Sequence, residues 1–212
     1  AFSPAGASIY VPLAIDTRRG VLYASTAEAY TYENPAGSYS VIAYDLLTGE
    51  RKWEQQFLPA GKEREAACEA VGYTDCRNLF SMGTAVTIHT LMDGREILLV
   101  GQKSGYVYAL DPDKQGQVLW RNKVAHGGDL GGIMYGVAVD KDAVYVPISD
   151  AYFQLPVTPD GLARLDAATG ETRWKIARPE ARCSWGEEGC EASAVSPATL
   201  MPGAVFVGFA DG

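Results

Sequence analysis

Among side chains able to do metal or redox chemistry, cysteine and histidine are scarce in this chain. Its 212 residues hold four cysteines and two histidines. The cysteines fall as two local pairs, Cys68 with Cys76 and Cys183 with Cys190. Neither pair has the CxxC spacing of a zinc site, and neither has a histidine close by. Two loop disulfides in an oxidising compartment suit this pattern; four buried or free thiols in a cytosolic protein are the other reading. His89 and His126 are each isolated in sequence, as satisfied structural histidines are, and neither is given a catalytic role. No CxxCH occurs, so this stretch carries no c-type haem.

Charge and hydropathy narrow the classes further. The net charge of −8 argues against a nucleic-acid partner, because binding phosphates needs concentrated Lys and Arg. No apolar run approaches the ~20 residues of a transmembrane segment. No signal peptide precedes Ala1, a beginning that a processed or truncated chain would share.

The elements that must position any site are announced by a repeat. IAYDLLTGERKW (42–53), YALDPDKQGQVLW (108–120) and ARLDAATGETRW (163–174) each open with an aspartate, turn at a glycine and close on a tryptophan. The aspartates are Asp45, Asp111 and Asp166, the glycines Gly49, Gly116 and Gly170, and the tryptophans Trp53, Trp120 and Trp174. Asp can bond nearby backbone N–H groups and Gly accepts positive φ, so each segment reads as a β-hairpin. The tryptophan supplies a large apolar plate for packing between neighbouring units.

Two further strand-like runs precede each hairpin. The first kind covers 8–16, 82–90, 132–140 and 193–201; the second covers 20–28, 96–105, 143–152 and 204–212. Strand, strand, hairpin, repeated, is the pattern of four-stranded β-propeller blades. The expected class is therefore all-β, a single partial propeller over 1–212. Its blade units are 8–57, 82–124 and 132–178, with a half-blade at 193–212. A ring needs at least about four blades to close, so the remainder of the propeller is expected elsewhere. Insertions at 29–40 and 58–79 interrupt the pattern; the charged run GKEREAACEA in the second reads as a solvated loop containing a short helix.

The hairpin repeat resembles the tryptophan-docking motif of the quinoprotein dehydrogenases, eight-bladed propellers that bind pyrroloquinoline quinone (PQQ). Ala43, Asp45, Gly49 and Trp53 match the motif Ala-x-Asp-x-x-x-Gly-x-x-x-Trp without a gap. The second copy has one extra residue before Gly116, and the third has Arg164 in place of alanine. The segments at 3–26, 97–113, 131–150 and 189–212 are similar, in order, to the polyvinyl-alcohol-dehydrogenase branch, and the cysteine loops fall where that branch has cysteines.

The resemblance implies PQQ beside a cation, calcium or a lanthanide, that polarises the carbonyl accepting hydride from an alcohol. It also implies a nearby carboxylate to take the hydroxyl proton. Lys103, in GQKSG, stands where the family places a Lys or Arg against the quinone oxygens; otherwise it is a turn lysine. Glu28 stands where the family has an Asn or Asp that helps hold the metal; otherwise it is an exposed glutamate at a strand end. Tyr135 replaces a tryptophan of the branch near the axis, to line the cofactor site or simply to pack. The branch's Asp-Phe-Asp-Phe-Gly pattern reads Leu79-Phe80-Ser81-Met82-Gly83, so both aspartates are replaced, at Leu79 and Ser81.

The expected function is PQQ- and metal-dependent alcohol oxidation in the periplasm or cell exterior, with electrons passed to a cytochrome or other acceptor. A catalytically silent propeller that binds proteins or organises an assembly is the alternative, favoured by the missing aspartates. A third reading is a sugar- or polymer-binding module that uses Tyr30, Tyr32 and Tyr39 as stacking surfaces.

Overall fold

Each Asp–Gly–Trp segment folds as a hairpin, and each hairpin completes a four-stranded antiparallel meander. The computed structural model describes residues 6–29, 36–59, 61–70, 77–128, 130–150, 160–177, 183 and 193–211. The first blade holds β1 (Ala14–Asp16), β2 (Val21–Ser25), β3 (Ser40–Asp45) and β4 (Arg51–Gln56), paired in sequence order. The second holds β5 (Thr87–Thr90), β6 (Glu96–Gly101), β7 (Tyr106–Asp111) and β8 (Gln117–Lys123). The third holds β9 (Ala138–Asp140), β10 (Ala143–Pro147), β11 (Asp160–Asp166) and β12 (Thr172–Ala177). A two-stranded unit, β13 (Thr199–Met201) with β14 (Ala204–Phe206), follows. The architecture is all-β, a partial propeller.

The period-two alternation of a strand divides the middle blade between its neighbours. Leu98 and Val100 of β6, with Tyr108 and Leu110 of β7, pack against Val21, Tyr23, Val41 and Ala43 of the first blade. Ile97, Leu99, Val107 and Ala109 point the other way and pack against Val144, Val146, Ala163 and Leu165 of the third. Both faces of one sheet are thus buried, which explains near-continuous apolar runs such as ILLV at 97–100.

The hairpin turns are built as their residues demand. The Asp45 carboxylate accepts from the Leu47 and Thr48 N–H groups, both at 3.0 Å. Asp166 accepts from Ala168 and Thr169 in the same way, at 3.1 and 3.0 Å. In the longer second copy Asp111 accepts from Asp113 N–H at 2.9 Å, and the extra residue is absorbed by Gln115 in a left-handed conformation. Directly across the hairpins, Trp53 pairs with Ala43, Trp120 with Ala109 and Trp174 with Arg164, each followed by a register shift. Arg164 therefore occupies the alanine place without changing the pairing.

The glycines do a second job. A Cβ on Gly116 would lie 2.6 Å from the Trp53 ring of the preceding blade, and one on Gly170 would lie 2.4 Å from the Trp120 ring. The Trp120 Nε1–H also donates to the Ala167 carbonyl at 3.1 Å, fixing the ring edge. Trp53 and Trp120 thus each pack on the hairpin of the next blade. Gly49 has the same backbone (φ +73°), yet a Cβ there would meet nothing within 4 Å. Trp174 is half-buried, beside Tyr145 at 6.2 Å between ring centroids.

Charge reinforces the first junction. Arg19, between β1 and β2, bonds Asp16 at 2.8 Å in its own blade and reaches Glu96 of the second blade. It also forks onto Asp113, at 2.8 and 2.6 Å.

Two expectations change on contact with the structure, and one holds. The first strand of each unit is short: β1, β5, β9 and β13 keep only the last residues of 8–16, 82–90, 132–140 and 193–201. The preceding residues leave the sheet, and at three of the four places a single bridge remains: Ala7 with Ala29, Met82 with Gln102, and Ala194 with Phe209. The charged insertion does contain a helix, α1 (Gly61–Ala70). Tyr39 is not a stacking surface: it is fully buried beside Leu79 and Phe80. Tyr30 and Tyr32 lie outside the described residues.

Removing the ring at one junction tests the docking. Trp120→Ala should destabilise the protein by about 3–5 kcal/mol in urea unfolding, as large-to-small core changes do; a loss below about 1 kcal/mol would mean the ring does not join the blades. The Arg19 clamp makes a pH prediction. Burial pushes the Asp16 carboxyl up, but the hydrogen bonds and charge of Arg19 outweigh it and hold it below its ordinary value of 3.8. The Arg19 hydrogen bond likewise holds Asp113 down. Folded values below unfolded ones mean stabilisation that is complete above about pH 4 and lost as pH falls through the folded values. The gap in melting temperature between wild type and Arg19→Met should therefore be widest near neutrality and narrow in acid. A gap independent of pH would dissociate these carboxylates from the clamp.

Candidate functional site

The first blade's second strand does not stop cleanly at Ser25. The backbone continues, with Thr26 N–H donating to the Ser40 carbonyl at 2.8 Å and Ala27 N–H to the Ser8 carbonyl at 2.9 Å. This carries Glu28 beyond the sheet. The chain then enters the second blade through a 3-10 turn, Arg77–Phe80, in which Leu79 and Phe80 are buried against Tyr39. Ser81 and Met82 follow as a single extended thread between the two blades. Met82 N–H donates to the Thr26 carbonyl at 3.2 Å, and the Ser81 carbonyl accepts from Lys103 N–H at 3.0 Å.

That thread brings together three of the positions the sequence singled out. The Ser81 hydroxyl donates to Glu28 Oε2 at 2.5 Å, and the Glu28 N–H donates back to Ser81 Oγ at 3.1 Å. The Asn78 amide, with its nitrogen turned to the carboxylate as the surrounding acceptors require, donates to Oε1 at 2.9 Å and Oε2 at 3.1 Å. Lys103 is only 7% exposed, and its Nζ stands 5.8 Å from the centroid of the Tyr10 ring. The Tyr10 ring is half-exposed, but its hydroxyl turns inward to donate to the Met82 carbonyl at 3.0 Å. Burial of that hydroxyl, and then the Glu28 charge, push its pKa well above the ordinary value, so it stays protonated and committed to Met82.

Tyr135 is half-buried on the segment after Ile133, which passes so close to the second blade that a Cβ on Gly83 would overlap the Ile133 carbonyl. Among the described residues no hydrogen bond or ring contact ties Tyr135 to Glu28, Ser81 or Lys103. Leu79 sits in the core, 1% exposed, a place where a carboxylate would be buried among apolar side chains. His89 is bonded through Nε2 to the Lys141 carbonyl at 2.9 Å, a contact between blades.

Sequence reasoning missed two residues that shape this corner. Gln102 is buried beside Lys103; its amide donates to the Phe57 and Phe80 carbonyls at 3.2 and 2.7 Å. Its oxygen accepts from Ser104 and Tyr108 at 2.5 and 3.1 Å. Asp150 accepts from the N–H groups of His126, Gly127 and Gly132 at 2.8, 3.0 and 3.0 Å. The loop it fastens lies on the backbone of Lys103: Gly128 N–H bonds the Lys103 carbonyl at 3.1 Å, and a Cβ on Gly132 would lie 2.1 Å from that oxygen. The density of glycine from 127 to 136 was the one available signal; nothing local marked Gln102 or Asp150.

Chemically, the corner offers a buried cation next to an aromatic ring, and a fixed carboxylate among oxygen and amide groups. The first suits a planar anionic cofactor. The second suits a hard cation in kind, since such ions take oxygen ligands, but one carboxylate falls well short of the six to eight oxygens calcium takes. Among the described residues no group of three His, Cys, Asp or Glu side chains could hold a metal. No helix there is long and apolar enough to cross a membrane. Cys68 and Cys183 are not free thiols; Cys76 and Cys190 lie outside the described residues.

Comparison with known proteins gives this corner its context. The family PQQ_2, described as outer membrane protein assembly factor BamB, matches residues 103–184. Over its full length the chain is 38% identical to a polyvinylalcohol dehydrogenase of Pseudomonas sp, and 36% identical to one of Sphingopyxis sp. (strain 113P3). It spans 33% of the length of each. The crystal structure of BamB from Moraxella catarrhalis superposes with a TM-score of 0.56 at 17% identity, covering 96% of this chain and 48% of that one. A quinohemoprotein alcohol dehydrogenase from Pseudomonas putida HK5 gives 0.56 at 16% identity, covering 82% and 21%. At such identities the structural likeness carries the propeller fold alone.

Proposed function

The chain belongs to the PQQ-dependent quinoprotein dehydrogenase superfamily, with its likeness to polyvinylalcohol dehydrogenases running from end to end, and we propose that it contributes one side of a quinone site for alcohol oxidation. The observation that carries this reading is the meeting of Glu28, Ser81 and Lys103, drawn from three separate segments, on one thread between two blades. Lys103 would bind the quinone oxygens, and its buried ammonium would stabilise negative charge developing there. Tyr135 would form part of the wall, and Glu28 supplies the carboxylate. When bound, the quinone supplies the two-electron oxidising power and the cation, calcium or a lanthanide, polarises its carbonyl. The cation's remaining ligands belong to the rest of a longer protein, as do the other blades and the surface that meets a cytochrome or other electron acceptor.

The same reading places the protein in the periplasm or outside the cell, with Cys68 joined to Cys76 and Cys183 to Cys190. Peptide mapping without reduction should recover those two linked pairs. Free thiols at all four positions would remove the oxidising compartment.

The absence of aspartate at 79 and 81 favours a second reading, a propeller that kept the architecture and serves as a scaffold for protein binding or assembly. One experiment separates the two. Natively purified full-length protein is acid-extracted, and PQQ is measured by mass together with the metal content of the same sample. One quinone per chain with a bound cation is the expected result. No quinone, even after incubation with excess PQQ and calcium or a lanthanide, would leave the scaffold.

A further inference from the structure

We propose that a cleft between the first two blades, walled on one side by α1, binds a small aromatic carboxylate. None of Glu28, Ser81, Lys103 and Tyr135 lines this cleft, and the proposal does not rest on the quinone reading. Its volume of about 600 Å³ falls within the range of about 300–1,000 Å³ usual for small-molecule sites. One wall comes from the end of β4 and the residues after it, Gln55 to Pro59, and a second from β7 and β8 of the next blade. The helix closes the third side with Ala66 and Ala67, whose side chains are too small to fill the space.

The lining is apolar and aromatic at one side. Phe57 lies 4.5 Å from Tyr108, and Tyr108 lies 5.8 Å from Tyr106, between ring centroids. Gln102 forms the inner end. Its amide donates to the Phe57 and Phe80 carbonyls, and its oxygen accepts from the Ser104 and Tyr108 hydroxyls. That end is therefore uncharged and held in shape by bonds made within the protein, so a ligand does not have to order it.

Positive charge gathers at the other side. Across the β7–β8 ladder Tyr106 pairs with Lys123 and Tyr108 with Arg121, which puts both cations on the same sheet face as the rings. The Arg121 guanidinium is 5.5 Å and the Lys123 ammonium 5.9 Å from the centroid of the Tyr106 ring, so two like charges converge on one ring. Both side chains are exposed, and His126 also lines the cleft. Among the described residues no Asp or Glu lines it, although the net charge of the chain is −8. A concave surface with charge of one sign concentrates the opposite ion. The planar fork of Arg121 matches a carboxylate, Lys123 adds a point charge, and their mutual repulsion is relieved when an anion arrives. The flat body of the ligand then lies against the aromatic side, where it leaves water.

The test titrates full-length protein with 2-naphthoate, and separately with the neutral 2-naphthamide, by calorimetry. Naphthoate should bind with a Kd of about 1 mM or tighter, the affinity an ordinary ligand of this size reaches. The amide has the same shape without the charge and should bind at least about tenfold more weakly. Replacing both cations, Arg121→Gln with Lys123→Gln, should weaken naphthoate by at least about tenfold, with melting temperature confirming the fold. Gln55→Glu keeps both cations, adds negative charge to the facing wall, and should weaken naphthoate by at least about threefold. The proposal is overturned if naphthoate does not bind at about 1 mM, if acid and amide bind equally, or if neither the double variant nor Gln55→Glu changes the affinity. Loss of binding in Lys103→Gln, with none in the double variant, would put the naphthoate at the quinone corner and overturn it too.

Discussion

The contact on which the whole arrangement depends is a tryptophan ring lying on a glycine. Trp53 covers Gly116 and Trp120 covers Gly170, and in both cases a single added carbon would collide with the ring. The glycine must be glycine twice over, once for its left-handed backbone and once because the neighbouring blade's ring occupies the space of a side chain. This couples the turn of one blade to the outer strand of the one before. It fixes the distance and rotation between sheets, and so also fixes how nearly their inner ends converge.

Convergence has consequences at those inner ends. There the first strand of each unit gives up its ladder, and backbones of successive blades come within direct contact, as at Gly83 against Ile133 and Gly132 against Lys103. Peptide groups freed from the sheet find partners across the junction: Met82 with Thr26, Lys103 with Ser81, Gly128 with Lys103. Polar side chains gather in the same places because irregular backbone offers them hydrogen bonds. Glu28, Asn78, Ser81, Gln102, Lys103 and Asp150 stand at the joints between blades for that reason, and a cofactor bound there would contact several blades at once.

The chemistry and the architecture are separable here. Leu79 and Ser81 are compatible with the docking, the cores and the threaded segment, none of which uses a carboxylate at 79 or 81. Leu79 even strengthens the apolar cluster beneath the insertion. A propeller can thus do without carboxylates at such positions without threat to its fold.

The amino-acid sequence by itself determined the repeating unit. Asp45, Asp111 and Asp166 cap turns whose geometry is local, and alternation in runs such as EILLVG fixes two buried faces, so hairpins, blades and their order follow from neighbours in the chain. It also marked Lys103, Glu28 and the altered positions 79 and 81, through resemblance to a known pattern. Only tertiary structure decided that Glu28 and Ser81, fifty-three residues apart, share a hydrogen bond. It alone revealed Gln102 and Asp150, whose partners are carbonyls and N–H groups of other segments. It also buried Tyr39, which composition had suggested for a surface. Those outcomes depend on where separate blades meet, and that is set by ring-on-glycine packing summed over the junctions, a relation between blades that no single stretch of sequence contains.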